Sequence, residues 1–332
     1  MKKFISALLL AVFLLSGCAS QNVRNDADFA PPEEQRLVIY TSHKREVYEP
    51  IIREFEQRTG IWIELETGGT TALLERIAQG GTDCDLMFGG GVDSLSAYAD
   101  CFSPYLSENG GQVLPAYASP DGFYTPFSAL PVVLIYNTRL VSTNPPTGWD
   151  SLTDSKWRGK IAFADPAVSG SSYTILCTML QALTGDNASI LTEFAENLDG
   201  KPLSGSGDVV RAVGEGRKYI GVTLEETALK GIAADYDIEI VYPEEGTSAL
   251  PDGAAIVSGC AHRKNAELFI DFLLSSDVQT LLHDSLYRRS ICESGANAGT
   301  DELKLIDYDL EWASAEQTGL LSLWRDITGG AE

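Results

Sequence analysis

Three times between Leu37 and Ser94 a short apolar run gives way to a polar or glycine turn and then to residues at helical spacing. Leu37-Val38-Ile39-Tyr40 is followed by Thr41-Ser42-His43 and by Glu46 to Arg58, in which Val47, Ile51 and Phe55 share one helical face. Gly60 ends that helix. Ile61 to Glu66 alternates as a strand, Gly68-Gly69 turns the chain, and Thr70 caps a helix from Ala72 to Gln79. Asp85 to Phe88 is a third strand, closed by Gly89-Gly90-Gly91, after which Asp93 and Ser94 begin another helix. Repeated strand–turn–helix units leave few options: parallel strands joined by crossover helices, an α/β sheet with helices on its faces. Ligands of such sheets sit beyond the carboxyl ends of the strands, which is where all three polar turns fall.

A fourth joint of this kind lies between Ile161 and Leu180. The run Ile161–Ala164 is broken by Asp165, Pro166 and Gly170, and Ser171, Ser172, Tyr173 and Thr174 lead into an apolar segment of helical length. Ser and Thr at a helix start satisfy first-turn N–H groups. Those N–H groups, with the helix dipole, also make the start an anion site. The serines thus serve either as plain caps or as donors to an anion. The recurrence of such joints predicts one cleft holding a small anionic solute. Its expected lining is Thr41, Ser42, His43, Gly69, Thr70, Thr71, Gly90, Gly91, Ser169, Gly170, Ser171, Ser172 and Tyr173.

The rest of the chain reads as a second lobe and a return. Phe123 to Tyr136 is apolar and extended, holds Pro126 and Pro131, and is expected to leave the first lobe and enter the second. Trp149 to Lys160 reads as a surface helix and turn, with the two tryptophans packed on the second lobe. Helices are expected near Ile190–Asn197 and Asp208–Glu215, and strands at Lys218–Thr223 and Ile238–Tyr242. Gly253 to Val257 carries the chain back, and helices Asn265–Leu274 and Asp277–His283 close the first lobe. Arg288, Arg289 and a helix from Asp309 to Arg325 follow. The expected division is 37–128 plus 256–332 for lobe 1 and 129–255 for lobe 2.

Charge excludes one class of partner. Acidic side chains outnumber basic ones 47 to 24, a formal charge of −23. Such a surface repels nucleic acid, which needs basic patches. An anion bound here must be held by local dipoles and donors, not by the overall field.

At the start, Lys2 and Lys3 precede an apolar stretch from Phe4 to Leu15, and Leu15-Ser16-Gly17-Cys18 follows. This resembles the lipobox of bacterial lipoproteins, so 1–18 is expected to be a signal peptide and Cys18 the lipidated residue. Residues 19–36 read as a polar tether. Of the six cysteines, the other five have no metal-ligand spacing. A Cys84–Cys101 bridge is conceivable in an exported protein, and the distance between them decides it.

Several segments in order carry a family resemblance: LVIYTSH, EFEQRTGI, the GGT turn, the strand ending in GGG, WDSLTDSKWRGKIAFADPAVSGSSYT, GVTLEE, VYPEEGT, PDGAAIV and the arginine pair. From Leu37 to Arg325 the chain resembles the periplasmic or extracellular solute-binding proteins of ABC importers. It is most similar to the branch that binds ferric ion, thiamine, phosphonates and hexose phosphates. The resemblance implies a two-lobed α/β protein of type II with two hinge crossings and a ligand cleft between the lobes, closing on its solute and delivering it to permease subunits. Ferric binders of this branch carry adjacent tyrosines after the second-lobe strand. Here Glu225 and Glu226 follow Gly221-Val222-Thr223, so the phenolate pair that suits Fe(III) is absent. TSH, GSS and TLEE look more like the sugar-phosphate binders, in which serines, threonines and N–H groups hold the phosphate and acids accept the sugar hydroxyls. Thr223, Glu225, Glu226 and Arg289 therefore join the expected site.

The reading is a lipid-anchored, exported, monomeric binding protein for a small phosphorylated or phosphonate-bearing solute. It is expected to be non-enzymatic, with no cofactor and no resident metal. A ferric-ion or thiamine binder is the alternative, and a secreted hydrolase a distant one. Ser42 and His43 are adjacent and cannot aim at each other as a catalytic triad requires. No G-x-S-x-G elbow is present.

Overall fold

The computed structural model describes residues 31–200, 202–293 and 303–329. The expected signal peptide, Cys18 and the tether as far as residue 30 lie outside the described residues.

The three strand–turn–helix units form as read. Strand β1 (Arg36–Thr41) leads to helix α1 (Arg45–Thr59), β2 (Trp62–Thr67) to α2 (Thr70–Gln79), and β3 (Leu86–Gly91) to the short α3 (Val92–Ser96). All three strands are parallel, with β1 between β2 and β3. Gly60 caps α1 in the left-handed region at φ 70°, its N–H bonded to Glu56. Val47, Ile51 and Phe55 bury one face of α1 against Leu37, Ile39 and Phe88.

The extended stretch at 123–136 is two strands, β4 (Thr125–Ala129) and β5 (Val132–Asn137), in two different sheets. The change of sheet falls at Leu130-Pro131, where proline cannot donate to a ladder. Short 3-10 turns at Trp149–Leu152 and Ser155–Trp157 replace the expected surface helix. Asp154 accepts the Lys156 N–H there, offering the backbone an alternative to a helix ladder. Trp149 and Trp157 do pack in the second-lobe core.

The second sheet runs β6 (Ile161–Ala162), β7 (Ile220–Leu224), β5 and β8 (Ile238–Val241). Helices α4 (Gly170–Ala182), α5 (Asn187–Leu198), α6 (Ser206–Gly214) and α7 (Glu225–Ala233) belong to this part of the chain. Strand β9 (Pro251–Ile256) returns to the first sheet, antiparallel between β3 and β4, so the return falls near 250 and not at 255. Helices α8 (Arg263–Leu273) and α9 (Ser276–Leu286) and strand β10 (Arg289–Ser290) complete that lobe.

The two crossings lie side by side and are stitched together. Leu130 N–H donates to Leu250 O at 3.2 Å, and Val132 N–H to Ser248 O at 3.0 Å. A third passage runs beside them: Ile306 N–H bonds Thr247 O, and Thr247 N–H bonds Lys304 O, each at 2.9 Å. It delivers helix α10 (Leu310–Thr328) to the second lobe, not the first. Its Trp324 packs on Phe163 and Phe194, with ring centroids 5.7 and 6.0 Å away. Burying Ala313, Leu320 and Trp324 in that core is what draws the chain end across.

Cys84 and Cys101 are both free thiols packed in one cluster of the first lobe.

Candidate functional site

A cavity of about 260 Å³ opens between the lobes, lined by the carboxyl ends of their strands. Ser42, His43, Thr70, Gly90 and Gly91 contribute from the first lobe, and Gly170, Ser171 and Thr174 from the second.

The turn after β1 is braced from behind. Thr41 is fully buried, its hydroxyl donates to Phe88 O at 2.6 Å, and its Oγ1 accepts the His43 N–H at 3.1 Å. Thr41 thus shapes the loop while Ser42 and His43 face the cavity. The glycines of β3 are required by close approach. A Cβ on Gly89, at φ +111°, would stand 2.8 Å from Ser42 Oγ, and one on Gly90, at φ +93°, 2.7 Å from Thr70 Cγ2.

Helices α2 and α4, from opposite lobes, both begin at the cavity with Thr70 and with Gly170-Ser171. Free first-turn N–H groups and two dipoles of the same sign therefore meet on one space. The serine run divides its labour. Ser169 is the N-cap of α4, its side chain accepting from Ser172 N–H, and Ser169 Oγ lies 3.1 Å from Ser171 Oγ. Ser172 is 1% exposed, and Tyr173 is buried with its hydroxyl donating to Ala313 O. Of the four, Ser171 alone combines a hydroxyl with a place on the cleft wall; Gly69 and Thr71 stand beside Thr70 without lining it. Thr223 is fully buried, its hydroxyl without a partner among the described residues.

Glu225 and Glu226, read as ligand acceptors, are held by arginines of the other lobe. Arg289 grips Glu225 in a two-pronged contact, both N–H···O distances 2.8 Å, and Tyr242 donates to the same carboxylate. Arg288 Nε donates to Glu226 at 3.0 Å, while its Nη1 reaches Ser128 and Asp252. Burial works against the Glu226 charge, but Arg288 and Lys230 outweigh it and leave the carboxyl below its usual range. Burial likewise opposes the Arg288 charge, and Asp252 and Glu226 more than restore it. Neither glutamate nor Arg289 lines the cavity; Arg288 does.

Two cleft groups have no such partner. His43 lies edge-on to Phe88, with ring centroids 4.5 Å apart, and its Nε2 is buried without a hydrogen-bond partner, 3.6 Å from Asp252 Oδ2. Burial pushes the imidazole down to about 4, so it is neutral at pH 7. Asp93 folds back over its own helix start: Oδ1 accepts Ser94 N–H at 2.8 Å, and Oδ2 accepts Thr174 Oγ1 at 3.2 Å. Burial raises its pKa.

Asp252 escaped the sequence reading because the returning strand was begun at Gly253. A lone acid in Leu250-Pro251-Asp252, just before an apolar run, was the available signal. In the sequence, Asp93, Ser94 and Thr174 read only as residues that open helices. Leu130, Leu224, Leu250 and Pro251 supply apolar wall, which no motif marks. Among the described residues, no three His, Cys, Asp or Glu side chains are grouped to hold a metal ion. None of the described tyrosines lines the cavity.

The profile of the family described as bacterial extracellular solute-binding protein matches residues 85–302. The iron uptake protein A1 of Synechocystis sp. is 28% identical over 82% of this chain and 80% of its own. An uncharacterized Haemophilus influenzae protein is 28% identical over 96% of this chain and 94% of its own. Among solved structures, the periplasmic binding protein AfuA from Actinobacillus pleuropneumoniae, with exogenous fructose-6-phosphate bound, aligns at a TM-score of 0.81 and 25% identity over 89% of this chain and 99% of that one. The apo ferric ion-binding protein A of Pasteurella haemolytica aligns at 0.80 and 18% identity over 90% and 99%, a likeness of fold alone.

Proposed function

Since this chain belongs to the bacterial extracellular solute-binding proteins, the two-lobed type II binding proteins of ABC importers, we propose that its cleft captures a small solute bearing one phosphate or phosphonate group, hexose phosphate-like, by hinge closure. Members of this family bind small solutes and engage permease subunits, and they bind rather than transform.

The observation that carries the proposal is the meeting of the α2 and α4 N-termini, from opposite lobes, at Thr70 and Gly170-Ser171. Oxyanions are suited to such donors without a free cation. Ser42 and Ser94 add hydroxyls from the first lobe. A solute touching both helix starts favours the closed state, because each lobe alone offers part of the site. The bound sugar phosphate of AfuA supports the same solute class.

Ferric ion is the second reading, favoured by the relative named for iron uptake and by the bare His43 Nε2. Its weakness is the donor set, since Fe(III) takes hard anionic ligands and the carboxylates of Asp252 and Glu226 are already paired with Arg288. Thiamine has no comparable observation behind it.

Calorimetric titration with glucose 6-phosphate against Fe(III)-citrate tests the reading. One-to-one heat with the sugar phosphate, without turnover of the ester, supports it; colour development and tight Fe(III) uptake would replace it with the second. Lipid attachment at Cys18 and a tethered location outside the cell membrane belong to the same proposal. Their test is fractionation of Cys18→Ala, which is expected to move the protein from the membrane to the soluble exported fraction.

A further inference from the structure

We propose that Asp93 reads a second group on the solute: beside its phosphoryl oxygens the ligand carries a hydrogen-bond donor, hydroxyl or ammonium, that meets the Asp93 carboxylate, and a second anionic group at that place is rejected. This rests on the cleft being a phosphate or phosphonate site.

The sequence pointed to Glu225 and Glu226 for that acceptor role, but both are closed off by Arg289, Tyr242 and Arg288. Asp252 is engaged by Arg288 as well. Among the described residues, Asp93 is the remaining carboxylate on the cleft wall. Its contacts are all to neutral donors, namely its own N–H, the N–H and hydroxyl of Ser94 and the Thr174 hydroxyl, the last at 3.2 Å, so its charge is met by hydrogen bonds and not by a cation. Among the described residues Arg288 is the only lysine or arginine lining the cavity, and its charge is answered by Glu226 and Asp252.

The second observation is independent. His43 lines the same cavity with a side chain 5% exposed, and its Nε2 has no hydrogen-bond partner among the described residues. Unmet polar capacity at a buried side chain marks a place where a ligand atom completes the hydrogen bonding. Being neutral, His43 adds no charge to offset a second anion. The cleft therefore combines anion-seeking helix starts with a donor-seeking carboxylate at Asp93. A desolvated carboxylate without a cation gains most from a charged or strongly polar donor.

The test is calorimetry on the full chain with glucose 6-phosphate and four phosphonates of matched size: 2-aminoethyl-, 2-hydroxyethyl-, ethyl- and carboxymethylphosphonate. The amino or hydroxy compound should bind about tenfold or more tighter than ethylphosphonate, with the carboxymethyl compound weakest. Asp93→Asn, which keeps the acceptor for Ser94 N–H, should compress that ranking. Equal affinities in the wild-type series, or an unchanged ranking in Asp93→Asn, would overturn the inference and leave the phosphate reading standing. If glucose 6-phosphate alone binds, about tenfold loss in Asp93→Asn supports the inference, and a change within about twofold overturns it. Binding of none of the five overturns both.

Discussion

Thr174 Oγ1 lies 3.2 Å from Asp93 Oδ2, and the two residues stand on opposite lobes. Thr174 stands one turn into α4, and Asp93 in the helix that follows β3. The bond spans the cleft, so α4 is held at a set separation from α3, beside the proposed anion site. With the ion pairs from Arg288 and Arg289 to Glu226 and Glu225, it makes the contact between lobes directional. Charge pins one side near the hinge strands, and at the cavity the contact is this bond from a hydroxyl to a carboxylate.

Thr174→Val removes that hydroxyl at almost constant volume. We expect solute affinity to fall by about 1 kcal/mol, the net scale of one hydrogen bond. Small-angle scattering of the unliganded variant should show a more open particle. An unchanged affinity and radius of gyration would show that the contact does not bias closure.

Ser171 and Ser172 are adjacent but should fail differently. Ser171→Ala is expected to weaken sugar-phosphate binding by about 1 kcal/mol or more while leaving stability nearly unchanged. Ser172 is 1% exposed, so Ser172→Ala should act on thermal unfolding and leave affinity largely intact. Calorimetry and thermal melts on the two single variants separate these outcomes; equal affinity losses would argue against the division.

Arg288 is the keystone of the buried charge network, 7% exposed and bonded to both Glu226 and Asp252. Arg288→Met leaves buried Asp252 without its cation and Glu226 with Lys230 alone, and should cost about 3–5 kcal/mol of stability, read from urea unfolding. Restoring neutrality with Glu226→Gln in the same chain should recover part of that loss. Additive losses in the double variant would show that the pair is not coupled.

Much of this architecture was legible in the chain because its signals are local. Gly60, the Gly89–Gly91 run and the strand–turn–helix alternation each declare themselves within a few residues. What was not legible depended on distant partners. Glu225 and Glu226 read as free acceptors, since nothing nearby announces that Arg288 and Arg289 reach across the lobes to take them. Ser171 and Ser172 carry the same chemistry, and only the rotation of α4 decides which faces the cavity. Helix α10 was assigned to the first lobe by its position after that lobe's closing helices. The apolar faces of Ala313, Leu320 and Trp324 instead find their match around Phe163 and Phe194. Asp93, at a helix start, had the look of a simple first-turn acid.

Acid sensitivity should trace to His43. Burial lowers its pKa from 6.5 to about 4, so between those values the unfolded chain binds a proton that the folded chain refuses. Stability therefore rises with pH across that window and is lost as pH falls from 6.5 toward 4, by up to about 3 kcal/mol from this one group. Urea unfolding at pH 7, 5.5 and 4.5 should show a shallower decline for His43→Gln than for the wild type. Parallel declines would place the acid sensitivity elsewhere.

The central claim is that one solute anion is held jointly by the helix starts of both lobes. A diffraction structure of the chain with glucose 6-phosphate tests it most directly. The account predicts phosphate density between Thr70 and Gly170-Ser171, with its oxygens on first-turn N–H groups of α2 and α4. A phosphate bound to one lobe only, or lodged away from both helix starts, would contradict it.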